Sequence, residues 1–199
     1  MTRTRIRQAR PLDLDDVTDT LATAFLGGDL AGWLIPDRNT RQTVYADYFR
    51  MWAEHFLQHG QVDATDDADA VALWWPAGNH LDLDIPDYET RLSKITGEAY
   101  GRFVALDMAM HMHHPHGQPH HYLAFVAVQP DRQWQGLGSA LLRHRLERLD
   151  AEGTPAYLEA TGPRSKALYH RHGFRLLYPV DIPGGPELLP MWRPPSGAG

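Results

Sequence analysis

Val126-Ala-Val-Gln-Pro-Asp-Arg-Gln-Trp-Gln-Gly-Leu-Gly-Ser139 carries the strongest signal in the sequence. It joins the apolar run Tyr122–Val128 to a helical stretch over 136–151. The run is almost continuously apolar, as expected of a strand buried on both faces. The first turn of a helix leaves backbone N–H groups unpaired and carries partial positive charge. Anions, phosphates above all, settle there. Gly136 and Gly138 stand in that first turn. A helix glycine costs about 1 kcal/mol relative to alanine, and a missing Cβ lets a pyrophosphate approach the backbone. An ordinary strand–helix turn with packing glycines is the competing account. The segment is not a P-loop, because no Lys-Ser/Thr follows the glycines. It also lacks the third glycine and the later acidic residue of a dinucleotide fingerprint.

Working outward, Ala156–Thr161 reads as the next strand, 164–172 as a short helix, Phe174–Ile182 as a strand and Leu188–Arg193 as the last strand. Upstream, 4–9 reads as a strand. Asp13 stands as the N-cap of a following helix, with Leu12 and Val17 as a hydrophobic staple. Gly27 and Gly28 stop that helix. A second helix spans about 41–58, two strands span 61–65 and 70–75, and a helical pattern runs from Tyr88 to Met112, interrupted near Gly97 and Gly101. The order is mixed α/β.

The 199 residues suit a single domain over 1–199, with 194–199 a loose tail. Nineteen basic against 25 acidic residues give a net charge of -6, which argues against a nonspecific nucleic-acid binder. There is no cysteine, hence no thiolate nucleophile and no Cys-based zinc site. The first residues lack a signal peptide's apolar run and no stretch reaches a membrane span, so a cytoplasmic protein with no membrane partner is expected.

Gln133-x-x-Gly136-x-Gly138 after the central strand resembles the acetyl-CoA-binding motif of the GCN5-related N-acetyltransferases (GNAT). Tyr169-His-Arg-His-Gly173-Phe174 resembles the later Tyr-x-x-x-Gly-Phe signature of that superfamily, and the spacing of the two motifs strengthens each. His114-Pro-x-x-x-Pro-His120-x-Tyr122-Leu123 is similar to a subgroup pattern. Within the superfamily the chain resembles the puromycin N-acetyltransferases from Ile6-Arg-Gln-Ala-Arg10 to Met191, and the likeness is weakest from Gly27 to Met51, where such enzymes usually contact the acceptor. The resemblance implies a mixed sheet of about six to seven strands, splayed at a bulge near Val126–Val128 and flanked by about four helices. It implies acetyl-CoA as co-substrate and no metal. The pantetheine arm would add along Val126, Ala127 and Val128. The pyrophosphate would rest on the amides from Gln133 through Trp134, Gln135, Gly136, Leu137 and Gly138 to Ser139. Ser165 stands where the family commonly has an asparagine that touches the cofactor arm, and the resemblance implies that its hydroxyl donates there as a cofactor-binding residue.

The implied reaction moves an acetyl group onto a primary amine, expected on a small molecule bound by a monomer or homodimer. Acetylation of a protein N-terminus or lysine is the alternative enzyme reading, and a noncatalytic acyl-CoA-binding regulator the non-enzyme one. A lysine-like amine is neutral only about once in 2,500 at pH 7, so a general base matters. Strand alternation sets Tyr157, Glu159 and Thr161 on one face. A carboxylate inside an interior strand is costly unless paired or facing a cleft. Glu159 is therefore the candidate base, working through a water, with a structural ion pair as the competing reading. The family's motif tyrosine, here Tyr169, implies a proton donor to the leaving thiolate.

The 12 histidines include six between His111 and His121. Their spacing is irregular and no carboxylate joins them, so adventitious metal binding is expected rather than a metal site. Tyr45, Tyr48, Phe49, Trp52 and Phe56 read as core, and Trp33 with the loop 27–36 as the acceptor site.

Overall fold

The computed structural model describes residues 5–197. Among them stand eight strands and seven α-helices. The strands are β1 (Ile6–Gln8), β2 (Gln61–Thr65), β3 (Ala70–Ala77), β4 (His120–Val128), β5 (Ala156–Ala160), β6 (Arg175–Leu176), β7 (Val180–Asp181) and β8 (Glu187–Arg193). The helices are α1 (Leu14–Ala24), α2 (Asp29–Leu34), α3 (Arg38–His59), α4 (Tyr88–Thr96), α5 (Tyr100–His113), α6 (Leu137–Glu152) and α7 (Pro163–Arg171). The sheet runs β1-β2-β3-β4-β5-β8-β6, with β7 on β8. Only β4 and β5 are parallel.

Strand alternation divides the core into two layers. Val71 and Leu73 of β3 face the helices α1 to α5, where Leu21, Phe49, Phe56 and Phe103 pack. Ala70, Ala72 and Trp74 face α6 and α7, against Leu141, Leu142, Leu146 and Leu149. The apolar stripe of α6 forms as its periodicity requires. On the same helix, Arg145 reaches the fully buried Asp63 of β2 through two hydrogen bonds of 2.8 and 2.7 Å.

The splay that makes the cleft lies between β4 and β5. The two pair only at His121–Ala156 and Tyr122–Tyr157. Beyond Tyr122 they part. Leu73 faces Phe125 while Trp74 faces Leu123, so Ala124 is an extra residue on β4. The bulge therefore sits at Ala124, earlier than the expected 126–128, and bends β4 where it leaves β5.

Several elements differ from the sequence expectation. The helical pattern over 88–112 breaks at Gly97 (φ +52°) as expected, giving α4 and α5, but α5 runs unbroken through Gly101. Helix α2 forms within the stretch read as a loop, and the stretch 174–182 splits into β6 and β7. These account for the extra strand and helices. Asp13 does not cap α1: its carboxylate takes two hydrogen bonds from Arg7, at 2.8 and 2.9 Å, and one from the Arg10 N–H at 2.7 Å. Leu12 is 72% exposed, so there is no staple. The cap that does form is Asp37 on α3, accepting from the Thr40 N–H at 2.7 Å. The start of the tail is pinned, since Ser196 N–H donates to Asp150 at 2.7 Å. Residues 198–199 of the expected tail, and residue 4 of the first strand, lie outside the described residues.

Candidate active site

A cleft of about 1080 Å³ opens between the parted strands and continues toward α2, α3 and α5. Large ligand pockets reach about 1,000 Å³. Val126, Ala127 and Val128 line it along β4. Their edge toward β5 has no strand partner, which leaves backbone groups available to an extended ligand.

At the end of β4 the chain turns over Pro130–Arg132 into α6. Gln133 Nε2 donates to the Val128 carbonyl at 3.2 Å and ties the turn to the strand. Gly136 takes a left-handed conformation, φ +83°, which favours glycine. No side chain caps α6. Among the described residues no carbonyl takes the N–H of Leu137, Gly138 or Ser139; the first intrahelical bond is from Ala140 to Gly136 at 2.9 Å. A Cβ on Gly138 would make only ordinary contacts, 3.6 Å to Leu168 and 3.7 Å to Val128. Protein packing thus does not demand that glycine, whereas a ligand seated on the amides would. Gln133, Trp134, Gly136, Leu137, Gly138 and Ser139 all line the cleft. Gln135 does not, and its side chain donates to the Asp131 carbonyl at 3.3 Å. The arginines lining this end are Arg132, Arg164 and Arg171. Arg164 lies 5.4 Å over the exposed Trp134 ring. The uncapped amides, the missing Cβ and the arginines fit the diphosphate of coenzyme A.

Ser165 also lines the cleft, but its hydroxyl donates to the Gly162 carbonyl at 3.0 Å. Its proton is therefore committed within the protein. The Ser139 hydroxyl likewise meets His172 Nε2 at 2.9 Å.

Glu159 lies on β5 and lines the same cleft. Its Oε1 is buried with no hydrogen-bond partner. Burial pushes the carboxyl up to about 7, against a smaller downward pull from the facing Tyr157 and Tyr122 hydroxyls. No arginine pairs with it among the described residues, which removes the structural ion pair. Tyr169, near the end of α7, lines the cleft, and burial raises its hydroxyl above the usual tyrosine range. It stays protonated at neutral pH.

Two of the loop histidines meet beside these groups. His120 Nδ1 is 2.8 Å from the Gln118 carbonyl, which only accepts, so that nitrogen carries hydrogen. Burial lowers both imidazoles, His114 to about 3, and keeps them neutral. His120 Nε2 is then a lone pair, and His114 Nε2, 3.0 Å away, must donate to it. His114 packs edge-on to Tyr122 and Tyr157, 5.0 and 4.9 Å between centroids. No group of three or more His, Asp or Glu suited to a metal ion occurs among the described residues.

The far end is aromatic. Tyr45, Tyr48, Phe49 and Trp52 line the cleft besides packing in the core, and only Phe56 of that stripe lies away from it. Trp33, expected at the acceptor site, packs instead on Gly185, where a Cβ would come within 2.8 Å of its ring. Residues 27–31 and Leu34 do line the cleft. Sequence reasoning missed Tyr88 and Asp107, whose hydroxyl and carboxylate are 2.9 Å apart on the cleft wall. Nothing in the sequence links residues on two helices at that separation. No helix among the described residues is long and apolar enough to cross a membrane.

Residues 13–174 match the Acetyltransferase (GNAT) family. Among solved structures the chain is similar to "histone acetyltransferase HPA2 and related acetyltransferase" from Corynebacterium glutamicum, at 30% identity over 97% of each chain, TM-score 0.73. It shares a fold with arylalkylamine N-acetyltransferase 2 from Aedes aegypti, at 17% identity over 97% of this chain and 99% of that one, TM-score 0.63. The fold also matches PaiA N-acetyltransferase from Thermoplasma acidophilum in complex with coenzyme A, at 10% identity over 97% and 99%, TM-score 0.61.

Proposed function

We propose that this chain, which belongs to the GNAT family of acetyltransferases, acetylates a primary amine of a small molecule, with Glu159 as general base and Tyr169 as general acid. Acetyl-CoA supplies the thioester. The amides of residues 133–139 hold its diphosphate. The free edge of Val126–Val128 takes the pantetheine arm, and a backbone N–H there faces the thioester oxygen as negative charge develops on it.

Glu159, through a water, takes the proton that the ammonium must lose before nitrogen can attack. The nitrogen lone pair forms the N–C bond as the carbonyl electrons move onto oxygen; their return breaks the C–S bond, and the departing sulfur takes the Tyr169 proton. The excess proton on the acylated nitrogen passes to the Tyr169 oxygen and restores its hydroxyl, and the proton held by Glu159 returns to solvent. A carboxyl near 7 suits this step, because a base works best when its pKa lies close to the working pH. The cytoplasm, where acetyl-CoA is available, is the fitting compartment.

The observation that carries the reading is the unpaired, buried Oε1 of Glu159 in the same cleft as the uncapped amides of α6. It is tested by thiol release from acetyl-CoA against puromycin, polyamines, amino-acid amides and short peptides. The likeness to puromycin N-acetyltransferases places puromycin on that panel. Release with small amines supports the reading. Release only with peptides moves the function to protein acetylation, and tight coenzyme A binding with no release to any amine makes the chain a noncatalytic binder.

A further inference from the structure

Three carboxylates outside the cleft are each held by an arginine. Asp63 meets Arg145, Asp13 meets Arg7 and Asp150 meets Arg193, each through two hydrogen bonds of 2.7 to 2.9 Å. Asp107 on α5 is different. Its one hydrogen bond is from the Tyr88 hydroxyl, and no salt bridge reaches it among the described residues. It lines the cleft inside a wall of rings. Trp52 stands 6.2 Å from Tyr48 and 5.7 Å from Tyr88 between centroids, and Tyr48 stands 5.2 Å from Phe49. A partly buried carboxylate there has one neutral hydrogen-bond donor and no cation to offset its desolvation. Ring faces add attraction for a cation.

The position is separate from the reacting centre. Glu159 stands on β5, whereas Asp107 stands on α5 and is bonded to Tyr88 of α4. The arginines lining the cleft belong to the loop and α7, at the phosphate end. Asp84 and Glu89, flanking the start of α4, line it beside Tyr88. Charge therefore changes sign along the cleft, from cationic where the diphosphate would sit to anionic at the aromatic end.

We propose that Asp107 and the rings of Tyr48, Trp52 and Tyr88 bind a second cationic group of the acceptor, so that the preferred acceptors are amines carrying a remote ammonium on an apolar spacer. This rests on the acetyltransferase reading above and names its substrate class. An ion pair formed in the aromatic wall strengthens binding of such an amine over its uncharged isostere by about tenfold or more.

The test compares wild-type protein on matched pairs, 1,3-diaminopropane with propylamine and 1,5-diaminopentane with pentylamine, by thiol release from acetyl-CoA. At least one diamine is expected to show a KM about tenfold or more below its monoamine. Asp107→Asn, which keeps an acceptor for the Tyr88 hydroxyl, is expected to erase that preference, raising the diamine KM about tenfold toward that of its monoamine. Equal KM values within both wild-type pairs, or an equal loss for diamine and monoamine in the variant, overturns the proposal. Calorimetric titration of 1,5-diaminopentane into the wild type and Asp107→Asn reads the same site without turnover. Binding lost in the variant with no thiol release from any amine sinks the acetylation reading alone. Binding unchanged in the variant sinks the cation site.

Discussion

Replacing Glu159 by glutamine keeps the shape and removes the base. Its expected effect follows from the position of the carboxyl. With a folded value of about 7, Glu159 is half ionised at pH 7 and about nine-tenths ionised at pH 8. When Glu159 takes the proton from the bound ammonium, kcat/KM for an amine of pKa about 10.4 follows a single deprotonation below that value, the one on the enzyme. A plot of log kcat/KM against pH should therefore rise with slope near one below about 7 and level off from there toward the amine's own pKa. In Glu159→Gln only amine already neutral in solution reacts, so the plateau disappears and the slope is near one throughout. A positioned base contributes about 10² to 10⁴ in rate, so the variant at pH 8 should fall by at least about a hundredfold. The assay is thiol release under subsaturating amine with acetyl-CoA saturating, from pH 5.5 to 9. A variant that keeps the plateau above about pH 7, or loses less than about threefold, would show that another group removes the proton.

Three further outcomes follow from the same geometry. Glu159→Gln should stabilise the ligand-free fold at pH 8 by up to about 3 kcal/mol, because a carboxyl raised from 4.5 to about 7 on folding favours the folded state below 4.5 and loses that advantage as pH climbs through 7; urea unfolding at pH 4 and 8 should show agreement at the first and a gap at the second. Tyr169→Phe should lower kcat by about ten- to a hundredfold with little change in coenzyme A affinity by calorimetry, and an equal loss of both would reassign Tyr169 to binding. Gly138→Ala should leave the melting temperature unchanged or raised, since its Cβ has room and alanine favours helix by about 1 kcal/mol, while weakening coenzyme A binding more than about tenfold; full affinity in that variant would place the diphosphate elsewhere.

The parts of the fold that were legible are those fixed by local chemistry. Strand β4 and helix α6 follow from an apolar run, a left-handed glycine and a leucine stripe, none of which needs a distant partner. Helix α2 is the opposite case. Its six residues include Gly32 and carry no side-chain cap. Its last carbonyls are taken from outside: Arg102 donates to Trp33 and Leu34 at 2.7 and 3.1 Å, and Arg41 to Ile35 at 2.8 Å. A helix held by arginines from α3 and α5 has no signature of its own. Asp13 failed as a cap for a related reason, because Arg7 on β1 binds its carboxylate bidentately. The split of 174–182 has a local cause in Pro179, which cannot donate to the ladder.

The site divides along the same line. Glu159 was legible because a charged residue inside an apolar strand needs an explanation, and alternation says which way it points. Asp107 was not, because a lone carboxylate on one turn of a helix can face water and needs no explanation until the fold surrounds it with rings. The sequence supplies acids and arginines in number, but only the folded chain shows which acids go without an arginine. Asp63, Asp13 and Asp150 stabilise the structure through theirs. Glu159 and Asp107 have none, and burial holds both carboxyls above the usual range, at about 7 and about 6. A fold with only a few kcal/mol to spare tolerates two such groups only where something compensates them. Both face one cleft, and a substrate carrying two nitrogens, one to be acetylated and one to stay charged, would compensate both at once.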